Sequence, residues 1–325
     1  MKIALYAPQH IVDMVFAPRH LARLVELGEF QDSTFVDKGE ETIAQLADVE
    51  IMVSSWGMPK LDVQFLAAAP RLKAIFYAAG TIKEFATAEM YERGIQVSSA
   101  APANAVPVAE YTVGVILLAN KRFFEFMRNT RDISKLTHPA PGNYRRTIGI
   151  ISASMVGRAV MRLLSQYDLD VLLYDPFMTA EQAREMGATK VELAELMAQA
   201  DIVSLHAPNL PELHRMINAE MLALMKDGAT FINTARGALV DETALIAELQ
   251  SRRIYAVLDV TDPEPPLADS PFFTLPNCIY TPHIAGSLGA ECTRLADFAF
   301  AELERYLAAK PLKNVVKQDI LAILA

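Results

Sequence analysis

The run Ser152-Ala153-Ser154-Met155-Val156-Gly157 follows an apolar stretch, Ile148–Ile151, and leads into an apolar helical pattern over 156–164. A strand, a tight turn and a helix start in that order suit a phosphate, because the first amides of a helix lack intrahelical partners and carry partial positive charge. Three glycines usually build such a turn. The first allows the tight bend, the second lets backbone approach a pyrophosphate, and the third lets the helix pack on its strand. Only the third is present, as Gly157. Ser152 stands at the first place, at a cost of about 1–2 kcal/mol if its φ is positive. Ser154 stands at the second, where its hydroxyl can donate to a phosphate oxygen beside the amides of Met155 and Val156. Asp175 ends the next strand, 23 residues after Ser152. A carboxylate there can accept from both hydroxyls of an adenosine ribose and would repel a 2′-phosphate. Pro176-Phe177-Met178 supply no arginine to offset that repulsion, so NAD is preferred over NADP. On this motif alone a second reading stays open, a serine-capped turn and a strand-end aspartate with no ligand.

Three later segments carry an arginine, a carboxylate and an imidazole. They are Phe231-Ile232-Asn233-Thr234-Ala235-Arg236-Gly237, then Leu258-Asp259-Val260-Thr261-Asp262-Pro263-Glu264-Pro265, then Tyr280-Thr281-Pro282-His283-Ile284-Ala285-Gly286. Taken singly, each has a structural explanation: a surface ion-pair arginine, a turn acid between prolines, a hydrogen-bonded histidine below a helix. In this order and spacing they closely resemble the D-isomer-specific 2-hydroxyacid dehydrogenases, a family that includes phosphoglycerate, glycerate, glyoxylate and formate dehydrogenases. Asp201–Pro208 and Val108-Ala109-Glu110 extend the resemblance over residues 50–300.

The resemblance implies NAD as cofactor and a small 2-hydroxy or 2-keto acid as substrate. It gives the catalytic roles to Arg236, Glu264 and His283. The planar fork of Arg236 can hold a carboxylate or polarise a carbonyl. His283 can give a proton to the carbonyl oxygen and take it back in the reverse direction. Glu264 beside it would favour the imidazolium and fix the ring. With arginine and imidazolium supplying positive charge, no metal is required. Thr234 and Ala235 are expected by the nicotinamide, Asp259 at its carboxamide, and His206 and Pro208 along the adenosine, His206 shaping the pocket without moving protons. The substrate is expected on Arg236, His283 and the backbone amides of Ala79 and Gly80.

The chain departs from the family at several places. Its substrate loop keeps one glycine, Gly80, of a Gly-x-Gly-x-Asp/Asn pattern, and the turn at 152–154 has serines for glycines. The tail of the His283 segment lacks the tryptophan seen in some relatives. Trp56 either lines the substrate pocket or packs its domain. The serines favour a different class of function, a non-catalytic regulatory or nucleotide-sensing relative, whereas the intact Arg236, Glu264 and His283 favour the enzyme. A formate or phosphonate dehydrogenase on a related scaffold is a third reading.

The elements that must position these residues alternate. Strand patterns occur at 3–6, 51–53, 74–78, 148–151, 171–174, 202–205, 230–232 and 256–258, with helical patterns such as 19–27, 61–69, 85–93, 156–164, 243–249 and 288–307 between or after them. Strand–helix alternation implies parallel sheets with right-handed crossovers. The expected fold is α/β with two doubly wound domains. A flavodoxin-like substrate domain takes residues 1–101 and 288–325, and a Rossmann-type NAD-binding domain takes 102–287. Ser98–Pro107, small and proline-rich, reads as the crossing, with hinges near 99–104 and 284–290. A long helix is expected over 106–128, apolar on more than one face and so buried, part of it against a second subunit of a homodimer. Residues 132–146 read as a loop.

Composition fits this frame. At 325 residues the chain exceeds one ordinary core, and 52 % hydrophobic with 21 % charged residues marks a globular protein. A net charge of −9 argues against a nucleic-acid partner. No apolar run reaches the length of a membrane span, and the N-terminus MKIALYAPQH is not a signal peptide. The two cysteines, Cys278 and Cys292, are too few for a disulfide framework and fit no zinc spacing, so a reducing cytoplasmic setting is expected.

Overall fold

The structure, a computed structural model, describes residues 1–35, 45–128 and 140–321. It divides into two units, one of residues 1–104 with 287–324, the other of 105–286. The sequence set the crossings at 101/102 and 287/288.

The first unit holds five parallel strands: β1 (Lys2–Tyr6), β2 (Glu29–Asp32), β3 (Ile51–Ser54), β4 (Ala74–Tyr77) and β5 (Gln96–Ser99), in the order β2-β1-β3-β4-β5. Period-two alternation buries both faces. Ile3, Leu5, Ile51, Val53 and Phe76 enter one apolar cluster with the helices Gln9–Val15, Pro18–Leu27 and Cys292–Leu307. Ala4, Tyr6, Met52, Ile75 and Tyr77 enter the other, with Phe65, Leu66 and Met90 of the helices Val63–Ala68 and Ala88–Glu92. Trp56, half-buried, packs against both clusters of this unit.

The second unit holds seven parallel strands: β6 (Arg146–Ile151), β7 (Leu169–Tyr174), β8 (Ala188–Lys190), β9 (Ile202–Leu205), β10 (Thr230–Asn233), β11 (Tyr255–Leu258) and β12 (Cys278–Tyr280). Their order is β12-β11-β10-β9-β6-β7-β8, so the winding reverses between β6 and β9. In such sheets ligands bind at the carboxyl ends of the strands beside that reversal. Ile151, Val203, Leu205, Phe231 and Leu258 face one cluster, and Ile148, Ile150, Leu173, Ile232 and Val257 the other. Both units are therefore doubly wound α/β, as the alternation of elements implies.

The segment read as a proline-rich crossing does contain the division between the units, at 104/105, but as regular structure: it ends β5 and starts a helix, Ala101–Asn120, that contains Pro107. Pro107 removes only one backbone bond, and burial of Ala109, Val113, Ile116 and Ala119 outweighs it. Two expectations need correction as well. The expected single helix to 128 is two, because Arg122 takes φ 53 and a second helix starts at Phe123. The Arg122 side chain there donates to the Gly228 carbonyl (2.7 Å) and lies over the Tyr255 ring. The helix expected over 85–93 is only Ala88–Glu92, started by the Thr87 hydroxyl accepting from the Met90 amide. By length and composition Ala101–Asn120 alone, among described residues, could cross a membrane; half of it is buried, as in a core helix. Of the loop expected at 132–146, residues 132–139 lie outside the described residues, and the rest carries no helix or strand before β6.

Candidate active site

The turn after β6 is wound as tightly as a dinucleotide turn. Ser152 adopts φ 78, the left-handed region that the sequence reading costed. Gly157 is required by space: a Cβ there would sit 2.1 Å from the Ser152 carbonyl oxygen. Ser154 caps the helix Met155–Leu164 by accepting from the Gly157 amide (3.2 Å), which leaves its hydroxyl hydrogen available to donate. The amides of Met155 and Val156 lie in the first turn, where helix geometry offers no partner. Asp175 closes the turn from the end of β7. Its Oδ2 accepts from the Ala153 amide (2.8 Å) and its Oδ1 from the Phe177 amide (2.9 Å). Each oxygen keeps acceptor capacity, enough for a ribose diol.

At the end of β9, His206 is buried and its Nε2 shares a hydrogen bond with the Ser204 hydroxyl (2.9 Å). Burial pushes the imidazole down to about 3, so it is neutral at physiological pH. A ring held neutral by burial has no proton to deliver as an acid at that pH. Pro208, half-buried, follows in the same loop.

The three catalytic candidates sit past the carboxyl ends of β10, β11 and β12, which are neighbours in the sheet. The turn after β10 is built by Asn233, whose Oδ1 accepts from the Ala235 amide (2.9 Å) and whose Nδ2 donates to the Arg236 carbonyl (2.9 Å). Thr234 pairs through its hydroxyl with Thr112 (3.3 Å), and Thr234, Ala235 and Arg236 stay half-buried. The Arg236 guanidinium donates to the Ala235 carbonyl (2.6 Å) and contacts neither Glu264 nor His283 by a hydrogen bond. Its turn is nonetheless pressed on the loop after β11. A Cβ on Gly237 would lie 2.0 Å from the Thr261 carbonyl carbon and 2.4 Å from the Asp262 nitrogen.

His283 and Glu264 do meet. The imidazole Nδ1 lies 2.5 Å from Glu264 Oε1, with both side chains partly open to solvent. An ionised carboxylate only accepts, so Nδ1 carries the hydrogen and Nε2 is left to exchange a proton. His283 itself adopts φ 54, uncommon for a residue with a Cβ, and its turn is held by Asp259. The Asp259 carbonyl accepts from the His283 amide (2.9 Å). The Asp259 carboxylate accepts from the Thr281 hydroxyl (2.6 Å) and the amides of Ile284 (2.8 Å) and Ala285 (2.9 Å). Expected at a carboxamide, Asp259 is 1 % exposed and spends its carboxylate on the turn that carries His283.

Sequence reasoning missed two contacts, one to this turn and one to the loop that carries Glu264. The Tyr111 hydroxyl lies 2.8 Å from Thr281 Oγ1 and must donate, since Thr281 gives its hydrogen to Asp259. Burial, with the Asp259 charge adding, holds this phenol above its usual range, so it stays a neutral donor. Glu242 accepts from the Asp262 amide at 2.8 Å. No spacing in the sequence signals either contact.

In the first unit, Ala79 is buried and Gly80 half-buried, directly after β4. The Ser99 hydroxyl holds their turn through the carbonyls of Ala79 (3.1 Å) and Gly80 (2.5 Å), and their amides make no hydrogen bond among the described residues.

Comparison with known proteins bears on the family and the fold. Residues 113–285 match the model of the D-isomer-specific 2-hydroxyacid dehydrogenase NAD-binding domain. The chain belongs to the D-isomer-specific 2-hydroxyacid dehydrogenase family. Among members of the family, it is 30 % identical over 337 residues to a "2-hydroxyacid dehydrogenase homolog" of Haemophilus influenzae, covering 97 % of this chain and 99 % of that one. It is 32 % identical over 298 residues to the D-3-phosphoglycerate dehydrogenase of Methanocaldococcus jannaschii, covering 90 % of this chain and 56 % of that protein. The chain thus spans about half the length of the phosphoglycerate dehydrogenases it matches. Among solved structures, the TT0316 protein of Thermus thermophilus superposes with a TM-score of 0.76 at 28 % identity, over 98 % of this chain and 100 % of that one. D-lactate dehydrogenase with NAD+ from Lactobacillus jensenii shares the fold, with a TM-score of 0.80 at 24 % identity over 98 % and 100 %.

Proposed function

We propose that the chain is an NAD-dependent oxidoreductase that interconverts a small D-2-hydroxy acid and its 2-keto acid. The observation that carries this reading is the His283–Glu264 pair at the carboxyl edge of a Rossmann-ordered sheet, with Arg236 on the neighbouring strand end. The turn residues fit the cofactor: Ser154, Met155 and Val156 would hold its pyrophosphate, and Asp175 its adenosine ribose. His206 and Pro208 would line the adenosine side, and Thr234, Ala235 and Asp259 the nicotinamide side. The cofactor supplies hydride to C2 of the keto acid. His283 Nε2 delivers the proton to the carbonyl oxygen, and Glu264 stabilises the imidazolium and fixes the ring. Arg236 holds the substrate carboxylate or polarises its carbonyl, and the Ala79 and Gly80 amides, which make no hydrogen bond among the described residues, are donors suited to a carboxylate. In the reverse direction His283 takes the hydroxyl proton.

The carboxylate of Asp175 supports NAD over NADP. A homodimer in the cytoplasm completes the proposal. Leu118, Phe123 and Met127 are large apolar side chains exposed on the helices 101–120 and 123–128, a face suited to a second copy. Two buried cysteines outside any disulfide suit a reducing compartment.

The test is NADH oxidation with a panel of 2-keto acids such as glyoxylate, pyruvate and hydroxypyruvate, together with calorimetric titration of NADH. Activity abolished in His283→Ala and Arg236→Ala supports the assignment, and full activity in both would overturn it. NADH binding without turnover of any keto acid would favour the non-catalytic reading, to which the serines at 152 and 154 point.

A further inference from the structure

The loop that carries Glu264 has few anchors. Asp262, Pro263, Glu264 and Pro265 are all exposed, so apart from the backbone contact of Gly237 with the Thr261–Asp262 peptide little packing fixes them. Thr261 donates to the Pro263 carbonyl (2.9 Å), a bond inside the loop itself. Among the described residues, only two hydrogen bonds tie Thr261–Pro265 to the rest of the unit. One is the Glu264–His283 contact, and the other runs from the Asp262 amide to Glu242 Oε1, 20 residues earlier in the chain. We propose that Glu242 is a positioning residue for the Glu264–His283 pair, its carboxyl latching the loop through the Asp262 amide so that Glu264 stays aimed at the imidazole. The inference rests on reading His283 as the proton donor.

The surroundings of Glu242 support a role beyond solvating a helix end. It opens the helix Glu242–Gln250, after Asp241, whose carboxylate accepts from the Ala244 amide as the cap. An acid in a first helical turn is ordinarily exposed and ionised. Burial instead pushes the Glu242 carboxyl up to about 7, the Asp262 charge adding to the rise and the Asp262 amide opposing it. The charged group that acts on it is Asp262 across the contact, also acidic, and no lysine or arginine pairs with it among the described residues. Burial and the Asp262 charge disfavour its ionised form, and the Asp262 amide works against them. What it supplies is an acceptor oxygen at one place, and that place is the amide two residues before Glu264. Gly237 presses on the same peptide group, so the Thr261–Asp262 peptide touches both the turn carrying Arg236 and the helix carrying Glu242.

The variants are Glu242→Gln, which keeps an acceptor oxygen, Glu242→Met, which keeps volume without one, Glu264→Ala, and Glu242→Met with Glu264→Ala. Each is assayed for NADH-dependent keto-acid reduction, and exchange of the Asp262 amide is followed by mass spectrometry without substrate. We expect Glu242→Met to lower kcat about tenfold or more, with KM within about threefold, since small misplacement of a catalytic group carries costs of that order. Glu242→Gln should stay within about threefold of the wild type. Glu242→Met should cost nothing further in the Glu264→Ala background, because the two then act as one unit. The Asp262 amide should exchange about tenfold faster in Glu242→Met and not in Glu242→Gln. Additive losses in the double variant, a Glu242→Gln as damaged as Glu242→Met, or unchanged exchange would each overturn the inference. A wild-type protein that reduces no keto acid would sink the functional reading instead, while the exchange measurement still decides whether the latch exists.

Discussion

Replacing Gly237 with alanine separates the two turns that carry Arg236 and Glu264. The added Cβ would lie 2.0 Å from the Thr261 carbonyl carbon, 2.3 Å from its oxygen and 2.4 Å from the Asp262 nitrogen. Ordinary contact begins near 3.4 Å, so the turns must part by about 1.4 Å, the difference between 3.4 and 2.0. All three obstructing atoms are backbone, and no rotamer change can make room. Inserting one methyl into such a contact typically costs about 1–3 kcal/mol of stability. Activity should suffer more, because displacement of about 1 Å at a catalytic group can cost on the order of a hundredfold. Urea denaturation gives the first quantity and kcat/KM for NADH-dependent keto-acid reduction the second. A Gly237→Ala protein that keeps both its denaturation midpoint and its kcat/KM would refute the claim that this close approach positions the pair.

Ser152→Gly relieves a positive φ of 78 and should raise stability by up to about 1 kcal/mol while tightening NADH binding; thermal unfolding and titration calorimetry read both, and a destabilised variant would show that the serine's long contact to Asp175 (3.4 Å) outweighs the strain. Asp259→Asn turns an acceptor toward the Ala285 amide or the Thr281 and Ile284 donors into a donor, and should cost about 2–4 kcal/mol with loss of activity; an unchanged urea midpoint would dismiss the role given to that carboxylate. His206 is pushed by burial from 6.5 down to about 3, so the unfolded chain binds a proton there that the folded one refuses. Its share of stability is intact above pH 6.5 and is lost as pH falls from 6.5 toward 3, by up to about 1.4 kcal/mol per pH unit. His206→Gln should therefore show a shallower acid limb in denaturation at pH 7, 5.5 and 4.5, and an identical limb would count against a buried neutral ring.

Much of the fold was legible because local pattern reports what each residue faces. The apolar runs at 148–151, 202–205 and 230–232 are strands, and Gly157 and Asp175 stand where a dinucleotide turn needs them. Of the strands that escaped notice, β2 (EFQD), β5 (QVSS) and β8 (ATK) are short and polar or lie among small residues, and β12 (CIY) is apolar but only three residues long, so they carry little periodicity of their own. They form because a neighbouring strand supplies the hydrogen bonds, which no local window contains. The helix through Pro107 has the same origin, since the burial that outweighs a lost backbone bond comes from a sheet built by distant residues.

The sequence by itself determined which side chains are available for chemistry and that two parallel α/β units would carry them. Only the tertiary structure decided which of them touch. Neighbouring strand ends β10, β11 and β12 bring Glu264 to His283, press Gly237 on Thr261, and set the Asp259 carboxylate to brace the His283 turn. Tyr111 reaches Thr281 across 170 residues and Glu242 reaches Asp262 across 20. Residue type and spacing set the capacity for a hydrogen bond, but its partner is fixed by how the sheet orders its strands, and that order is a property of the packed chain as a whole.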